Sequence, residues 1–389
     1  MVNITLFSQI IKKLDRLKFN KLVKQFDTDK HQKGFNSWSH LVSMLFCQLA
    51  KSQSIRDISY GLRSATGNLN HLGLVKAPSK STISYQNIHR DWKLFKAYYF
   101  SLLNSLGQQA GFKQVKFRIK SKIFLLDSST ISLCLSLFDW AKYKTTKGAI
   151  KMHTLLDYDG NLPAYVNITD GKTADNKGAY EIPLLKGSVI VADRYYNDFS
   201  LLNTWNQSGV FFVIRHKDNI QFKVIKENDL PQVNHQHILK DEIIELSGIE
   251  SKKKYKKKLR RVAVWDDINQ QVIEVITNQM SWTANTIGEL YKSRWQIEIF
   301  FREIKQLLHI KSFIGTSENT VMIQIWTALI TILVLKALKA MAKFNWHLSN
   351  LVAFIRLNLF VKIELQKWLD TPFENDKSPP QGQWQGVLF

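Results

Sequence analysis

The stretch YKSRWQIEIFFREIKQ, residues 291–306, combines four polar side chains with a run of large apolar groups. At about 100° of rotation per helical residue, Tyr291, Arg294, Glu298 and Lys305 fall within one stripe about 60° wide. The apolar residues of the same segment fall immediately beside that stripe. The spacing therefore predicts a helix that carries a carboxylate between cations at the edge of its buried face. An ordinary amphipathic helix with intrahelical ion pairs is the alternative interpretation.

The composition indicates a globular protein with a polyanionic partner. The chain has 389 residues, enough for two or three domains with a sizeable core. Hydrophobic residues make up 45% and charged residues 22%, which is typical of folded rather than disordered proteins. The net charge is +22, from 54 basic and 32 acidic residues. An excess of this size favours nucleic acid or an anionic membrane surface as partner; a basic but indifferent surface is the alternative.

Three features favour a cytoplasmic protein with no membrane partner. The most apolar stretch, residues 321–335, is short for a bilayer crossing and contains Gln324, so it predicts a buried helix. Residues 1–19 carry charges throughout and do not resemble a signal peptide. The two cysteines, Cys47 and Cys134, allow neither a disulfide framework nor a zinc quartet, which fits a reducing compartment.

The sequence pattern along the chain predicts five segments. Residues 1–117 show apolar spacings of three and four, which predict a helical N-terminal domain. Residues 118–216 alternate strand-like and helix-like runs in the order β-β-β-α-β-α-β, which predicts an α/β core with a mixed sheet. Residues 217–280 contain short strand-like runs connected by polar segments, and we interpret them as an inserted β subdomain. Residues 281–318 complete the core with the helix quoted above, and residues 319–389 form a helical C-terminal region with a tail.

Two segments suit contact with nucleic acid. After Pro78, a predicted helix opens with small polar residues such as Ser81 and Thr82, which suit phosphates and base edges. A capped surface helix is the alternative interpretation. Residues 252–261, KKKYKKKLRR, place eight cations in ten positions, which suits the DNA backbone. A solvated basic loop is the alternative for this run.

Three acidic residues stand in unusual contexts. Asp127 follows the apolar run IFLL, Asp193 follows VIVA, and Glu298 lies at the edge of the buried helix face. Burying a lone carboxylate is costly without a counter-charge. Three converging carboxylates would instead bind a hard divalent cation. Two Mg²⁺ ions about 3.5–4 Å apart activate water and stabilise the leaving oxygen of a phosphodiester. Each acid taken alone is also explained as a cap or turn residue.

The spacing of Tyr291, Arg294, Glu298 and Lys305 matches the Y-(2)-R-(3)-E-(6)-K signature of a large group of bacterial insertion-sequence transposases. The chain therefore resembles the DDE transposases of the insertion-sequence-four family, whose catalytic core is RNase H-like. The segments LLDSSTISL and VIVADRYYND are similar to that family's first and second acidic blocks. The resemblance extends over nearly the whole chain, including the helical N-terminal domain and the β insertion.

The resemblance implies an enzyme that cuts and joins insertion-sequence ends by metal-dependent phosphodiester hydrolysis and strand transfer. Asp127, Asp193 and Glu298 would be the catalytic acids. They would hold two Mg²⁺ ions, with Mn²⁺ as a substitute. The sequence has no glycine-rich phosphate loop, so a nucleotide cofactor is not implied.

The resemblance also implies residues and partners for DNA. Tyr291, Arg294 and Lys305 would contact DNA phosphates. The helical N-terminal region would bind the terminal inverted repeats of double-stranded DNA, and target DNA would be the second substrate. Two protomers would hold two ends together, as a homodimer in the synaptic complex. In some members a tryptophan of the β insertion holds a flipped base; Trp265 and Trp282 are both open for that role.

Two other functions remain open at this point. One is an RNase H-like DNA nuclease without strand transfer. The other is a non-enzymatic, transposase-derived DNA-binding protein, against which the presence of all three acids argues.

Overall fold

The structure of the chain is a computed structural model that describes residues 3–109, 119, 121–133, 137–138, 140–144, 147–230, 237–308, 310 and 313–373. The predicted boundary at 117–118 and the tail after residue 373 lie outside the described residues. The chain divides into two compact units. The first unit comprises residues 1–110 and 323–389, and the second unit comprises residues 111–322.

The described residues form fourteen α-helices. Their bounds are α1 Leu6–Ile11, α2 Arg16–Gln25, α3 Ser37–Ala50, α4 Ile55–Ser64, α5 Lys80–His89, α6 Lys93–Gln109, α7 Asp175–Ala179, α8 Phe199–Gln207, α9 Ile249–Lys254, α10 Ala284–Ser293, α11 Trp295–Leu307, α12 Glu318–Met341, α13 Leu348–Asn358 and α14 Leu365–Asp370.

The same residues form ten β-strands. Their bounds are β1 Ile123–Leu133, β2 Lys142–Lys144, β3 Lys147–Asp157, β4 Leu162–Asp170, β5 Val189–Ala192, β6 Phe211–Arg215, β7 Phe222–Glu227, β8 Ile238–Leu246, β9 Leu259–Asp266 and β10 Gln271–Thr277.

Helices α1 to α5 begin at residues whose side chains cap them. Every residue of α3 from Ser37 to Leu49 is buried, its polar side chains included. The N–H of Thr82 donates to the hydroxyl of Ser79 at 3.2 Å, which caps α5. This contact confirms the capped helix start predicted after Pro78.

A buried histidine, His40, lies within α3. Its Nε2 is 2.7 Å from Oδ1 of Asn87 on α5. Burial lowers the pKa of His40 to about 3, and the positive charge of Arg90 acts in the same direction. The imidazole is therefore neutral in the folded protein at physiological pH.

The apolar stretch at 321–335 lies within α12. By length and apolarity, α12 is the one helix of the described residues that meets the criteria for crossing a membrane. The protein itself buries 94% of the most apolar window of this helix. The prediction of a buried helix is confirmed.

The second unit is built on one ten-stranded mixed sheet. Its order is β2-β3-β1-β5-β6-β10-β9-β8-β7, and β4 pairs with β3. The pairs β1–β3 and β3–β4 are antiparallel, whereas β5 is parallel to both β1 and β6. The predicted α/β class with a mixed sheet is confirmed. The structure adds the short strand β2, which the sequence pattern does not predict.

Residues 217–280 continue this sheet. β10 pairs antiparallel with β6, and β9, β8 and β7 follow in antiparallel order. On one side, the buried core packs α8 against the strands, with Trp205, Phe212, Tyr255 and Ile276 among its members. The sheet is thus continuous from the strands that carry the two aspartates to the segment interpreted as an insertion.

The segment 291–306 is not one continuous helix, because α10 and α11 meet at Arg294. The N–H of Arg294 bonds to the carbonyl of Tyr291 at 3.1 Å, and the N–H of Ile297 bonds to the carbonyl of Arg294 at 3.1 Å. Both bonds span three residues and wind the chain more tightly than an α-helix. The predicted single helix is wrong in this detail, although Arg294 and Glu298 remain in contact.

Candidate active site

Asp127 and Asp193 lie at the same level of two neighbouring parallel strands, Asp127 within β1 and Asp193 directly after β5. Leu126 of β1 is in register with Ala192 of β5, and each aspartate is the next residue. Adjacent strands lie about 4.8 Å apart, so the two residues stand side by side. β5 ends at Ala192, whereas β1 continues along β3 to Leu133. The two aspartates thus lie together at the carboxyl end of β5.

The environment of Asp127 disfavours its charged form. Burial raises the pKa of Asp127 to about 7, and the negative charges of Asp193 and Glu298 act in the same direction. The backbone N–H of Ser128, which donates to Asp127 Oδ1 at 2.7 Å, and the charge of Arg294 oppose that rise. Because Asp193 and Glu298 both act on Asp127, the three predicted acids share one electrostatic environment.

Asp193 caps the short 3₁₀ turn that follows β5. Its Oδ1 accepts a hydrogen bond from the N–H of Tyr195 at 2.9 Å. Burial raises the pKa of Asp193, the Tyr195 N–H and Arg294 lower it, and Asp175 raises it. The cap explains how a carboxylate is held at this strand end, and the raised pKa shows that the cap does not fully compensate its burial.

Arg294 joins the acid of α11 to the acid of β1. Its Nη2 lies 2.7 Å from Glu298 Oε1, and its Nη1 lies 4.0 Å from Asp127 Oδ2. Its charge also acts on Asp193. One guanidinium therefore contacts two of the three acids that the sequence pattern indicates, and its charge acts on the third.

Lys305 and Tyr291 lie on either side of this arrangement along the chain. The Nζ of Lys305 donates to the carbonyl of Thr130 at 2.9 Å. Lys305 also lines an open cleft together with Asp127 and Glu298. The side chain of Tyr291 is buried, and its ring centroid lies 5.8 Å from the guanidinium carbon of Arg294. Lys305 thus reaches the cleft directly, and Tyr291 packs beneath Arg294.

Several neighbours of the acids were not found by sequence reasoning. Ser128 Oγ donates to Asp175 Oδ1 at 2.5 Å, and Lys151 Nζ lies 3.0 Å from the same oxygen. Tyr196 is buried, and burial raises the pKa of its phenol, as do the charges of Asp127, Asp175 and Asp193. Asp175 stands at the start of a short helix, where an acid is ordinary, so no local signal marks it.

Arg194, which directly follows the second acid, forms an exposed ion pair. Its Nη1 lies 3.8 Å from Asp218 Oδ2, and both side chains are exposed to solvent. The ring centroid of Trp282 lies 6.0 Å from that of Phe211, and the carbonyl of Trp282 accepts a hydrogen bond from Arg260. These contacts are consistent with structural roles for both residues.

The chain belongs to the DDE transposase family. It matches the family described as Transposase DDE domain over residues 118–334, which is more than half of its length. Residues 2–75 match a separate domain family of unknown function, DUF4372. The prediction of a bacterial insertion-sequence DDE transposase is thereby confirmed. Membership of this family implies dependence on a divalent metal in general.

Curated relatives carry the same description. A probable transposase for insertion sequence element IS5377 of Geobacillus stearothermophilus is 29% identical over 240 residues, which span 61% of this chain and 63% of that protein. A putative transposase, y4zB, of Sinorhizobium fredii is 28% identical over 67% of this chain and 71% of its own length. A putative transposase for insertion sequence element IS4SA of Synechocystis is 24% identical over 74% of this chain and 80% of its own length.

Asp127, Asp193 and Glu298, here called the acid cluster, have donor atoms that fit a divalent metal, although their present arrangement is not that of a complete metal site. Among the described residues, no group of three or more His, Cys, Asp or Glu side chains is placed to hold a metal ion. The donors facing Arg294 are nevertheless carboxylate oxygens, which Mg²⁺ prefers. The guanidinium, itself a cation, contacts two of these carboxylates. The residue types therefore fit a divalent metal, and Arg294 is at present the counter-charge of two of them.

Proposed function

We propose that the chain cuts DNA at the ends of an insertion sequence and joins those ends to target DNA. Two observations support this proposal: Arg294 contacts Asp127 and Glu298, and Asp193 follows the strand that pairs with that of Asp127. Family membership supports the reaction class. The matched region spans 63% of the Geobacillus relative, so the activity of the whole protein is part of the proposal.

In this proposal Asp127, Asp193 and Glu298 are the catalytic acids and hold two Mg²⁺ ions, with Mn²⁺ as a substitute. When bound, such ions supply an activated water and neutralise charge on the leaving 3′-oxygen. The chain's own residues supply the geometry: the parallel pairing of β1 and β5 sets the two aspartates side by side, and α11 brings Glu298 to them.

We also propose an RNase H-like core of the Y-(2)-R-(3)-E-(6)-K group. The strand order β4-β3-β1-β5-β6, with three antiparallel strands followed by two strands parallel to β1, supports this assignment. The first acid lies on the central strand β1, and the second follows the neighbouring strand β5. The spacing from Tyr291 to Lys305 supports the group assignment.

Arg294, Lys305 and Tyr291 are proposed to serve the DNA phosphates near the cut. Arg294 and Lys305 supply positive charge beside the acids, and an arginine fork suits a phosphate. Lys305 lines the cleft and so has direct access. The Tyr291 side chain is buried against Arg294, so its contribution to a DNA contact depends on movement of that arginine.

The lysines of the basic run at 252–261 are proposed to contact the DNA backbone. Arg260 and Arg261, which the sequence pattern includes in the same run, are instead buried in ion pairs with acids of the sheet. The lysines lie on α9 and the following loop, and they are exposed to solvent. Replacing Lys256, Lys257 and Lys258 by Gln should reduce the slope of log affinity against log salt by about 0.9 for each phosphate that the protein no longer neutralises. Gln replacements of the exposed Lys339, Lys343 and Lys362 serve as a charge-matched control. An unchanged slope in the first variant would favour a solvated loop.

The remaining parts of the proposal concern segments and partners. Residues 1–117 bind the terminal inverted repeats of double-stranded DNA, and residues 118–216 with 281–318 form the catalytic core around the insertion at 217–280. Residues 319–389 form the helical C-terminal region. Two protomers join the two ends as a homodimer, and the protein acts in the cytoplasm without a nucleotide cofactor.

The test is a cleavage and joining assay on DNA that carries the native flanking repeats, with a target plasmid and Mg²⁺, Mn²⁺ or Ca²⁺. Wild-type protein should yield joined products. Glu298→Gln should lose cleavage while retaining specific binding to the ends. Glu289→Gln, which removes a solvent-exposed carboxylate paired with Lys292 at 3.4 Å, is the matched control and should keep activity.

The same assay distinguishes the other two functions. Cut ends without joined products would indicate an RNase H-like nuclease. Specific binding with no cleavage in any metal would indicate a non-enzymatic DNA-binding protein. Near-wild-type cleavage by Glu298→Gln would remove Glu298 from the proposed catalytic set.

A further inference from the structure

Arg294 holds the position of a counter-cation inside the acid cluster. Its two terminal nitrogens divide between Glu298 at 2.7 Å and Asp127 at 4.0 Å, and its charge reaches Asp193. Arg294 thus contacts two of the three carboxylates and acts on the third. Its single charge balances only part of the charge of the cluster.

The guanidinium keeps unused bonding capacity. Its Nε is buried and has no hydrogen-bond partner within the described part of the chain. An arginine presents five N–H donors in a planar fork, a shape that suits a phosphate as well as a carboxylate. Arg294 lies at the junction of α10 and α11, where the backbone winds tightly. The same group therefore has two suitable partners: the acids it now contacts, and a phosphate of the DNA backbone.

A divalent ion and Arg294 cannot both occupy the space between the acids. Both are cations and both take the same carboxylate oxygens, so each disfavours the other by charge repulsion and by competition for ligands. A DNA phosphate would draw the guanidinium away from the acids, because charge-assisted pairing with phosphate replaces the pairing with Glu298.

We propose that Arg294 is a resident counter-cation that competes with divalent metal for the acid cluster, so that DNA binding and metal loading are coupled. This inference rests on the proposed function of the three acids as metal ligands. Without DNA, Arg294 holds the acids together and keeps metal affinity low. When a phosphate engages Arg294, the carboxylates become available to metal. By linkage, metal must then strengthen DNA binding by the same factor.

The experiment measures Mn²⁺ binding to the full chain without DNA, from the electron paramagnetic resonance signal of free Mn²⁺. Arg294→Gln should bind Mn²⁺ about ten-fold more tightly than wild type, within the range of about 5–150-fold usual for coupled sites. Arg302→Gln is the matched control, because Arg302 lies on the same helix, α11, and lines the same cleft. It removes the same charge and should change Mn²⁺ affinity less than about two-fold, roughly the effect expected of a screened surface charge.

A duplex of the native terminal repeat completes the design. The duplex should tighten Mn²⁺ binding by the wild-type protein and should leave Mn²⁺ binding by Arg294→Gln unchanged. In both cases the Mn²⁺ bound by DNA alone is subtracted. If Arg294→Gln does not fold, as judged by circular dichroism, Arg294→Lys replaces it, because a lysine keeps the charge but loses the fork. Arg294→Lys should bind Mn²⁺ more tightly than both wild type and Arg302→Gln.

Two results would overturn the inference, and they differ in what else they remove. If Asp127→Asn abolishes Mn²⁺ binding but Arg294→Gln does not tighten it, the proposed competition is overturned and the proposed metal site stands. If Asp127→Asn leaves Mn²⁺ binding unchanged, both the competition and the proposed metal site are overturned.

Discussion

The second unit buries arginine–carboxylate pairs in two places, and the two places are built differently. In the sheet of β8 and β9, Arg260 donates Nε and Nη2 to the two oxygens of Asp241 at 2.8 and 2.6 Å. Its Nη1 donates to the carbonyls of Met280 and Trp282. At the acid cluster, Arg294 contacts Glu298 at 2.7 Å and Asp127 at only 4.0 Å, and its Nε has no hydrogen-bond partner among the described residues.

The difference separates a structural ion pair from one that is prepared for another partner. Arg260 and Asp241 have side chains only 6% and 4% exposed, and each charge has a matched partner with bidentate geometry. A pair of this kind is fixed, and removing one partner leaves the other buried without a counter-charge. Arg294 balances only part of the negative charge around it, so the cluster retains affinity for a further cation. The side chains of the Arg294 pair are also more exposed, at 18% for Arg294 and 34% for Glu298. The balance of charge and the use of donors separate the two arrangements further.

The largest expected effect comes from removing an acid of the unbalanced cluster. Asp127→Asn should reduce cleavage by about a thousand-fold or more, since removing a metal ligand takes away several kcal/mol of transition-state stabilisation. The free energy of unfolding, measured in urea, should stay the same or rise, because repulsion among the acids is relieved. A fall in the free energy of unfolding as large as that expected for a buried structural pair would contradict the comparison. Glu289→Gln, which removes a surface carboxylate, is the control.

The reciprocal change is to the balanced pair. Asp241→Asn should lower the free energy of unfolding by about 3–5 kcal/mol, because Arg260 then stays buried without its counter-charge. Cleavage per folded molecule should change little. The double variant Asp241→Leu/Arg260→Met should recover much of the stability, since it removes both charges together. Failure of a folded Asp241→Asn protein to cleave DNA would show that this pair also supports the active site.

A third way to bury an ionisable group occurs in the first unit, where His40 has no acid partner among the described residues. Besides Asn87 it faces Arg90, which in turn lies 3.5 Å from Asp29. Because burial lowers the pKa of His40 to about 3, the unfolded chain takes up a proton below about pH 6.5 that the folded chain does not. Stability from this group is present above that pH and is lost as the pH falls towards 3.

Between pH 7.5 and pH 5 the loss due to His40 should be about 2 kcal/mol, measured as the difference between the urea-unfolding pH profiles of wild type and of His40→Gln. His40→Gln removes the titration and should flatten this part of the pH profile, although its stability at pH 7.5 should be lower. A His40→Gln profile parallel to that of wild type would assign the acid sensitivity to other groups.

The smallest expected effect concerns the exposed pair of Arg194 and Asp218. Arg194→Gln should change the free energy of unfolding by less than about 0.5 kcal/mol, as is usual for a solvent-screened pair. DNA affinity measured on the same variant tests whether Arg194, which directly follows Asp193, also contacts a phosphate. Unchanged affinity fits a surface ion pair, whereas weaker binding would add Arg194 to the phosphate contacts.

The local sequence indicated the aspartate positions unusually well. Asp127 and Asp193 each follow four apolar residues, and such runs form buried strands; Asp127 continues β1, whereas Asp193 follows the end of β5. The structure puts both runs in register as β1 and β5. Glu298 was selected by spacing rather than by burial, and that spacing survives the break of the helix at Arg294 because residues four apart still meet.

Contacts between residues far apart in the chain could not be predicted from the local sequence. Ser128 and Asp175 are 47 positions apart, and nothing in either local segment indicates their hydrogen bond. The continuation of the sheet through residues 217–280 was likewise hidden, since short strands look the same in a separate subdomain and in an extended sheet. Both depend on which strand edge a segment meets, and edge pairing is decided by the assembled core.

By itself, the sequence indicated the class of fold and the family and selected three acids as candidates, because hydrophobic period and motif spacing are local properties. Only the tertiary structure decided that Arg294 faces these acids, that Tyr291 is buried beneath it, and that Asp175 joins the cluster through Ser128. Charges interact through space, so the partner of each buried charge is set by the folded arrangement of strands and helices and not by its neighbours along the chain.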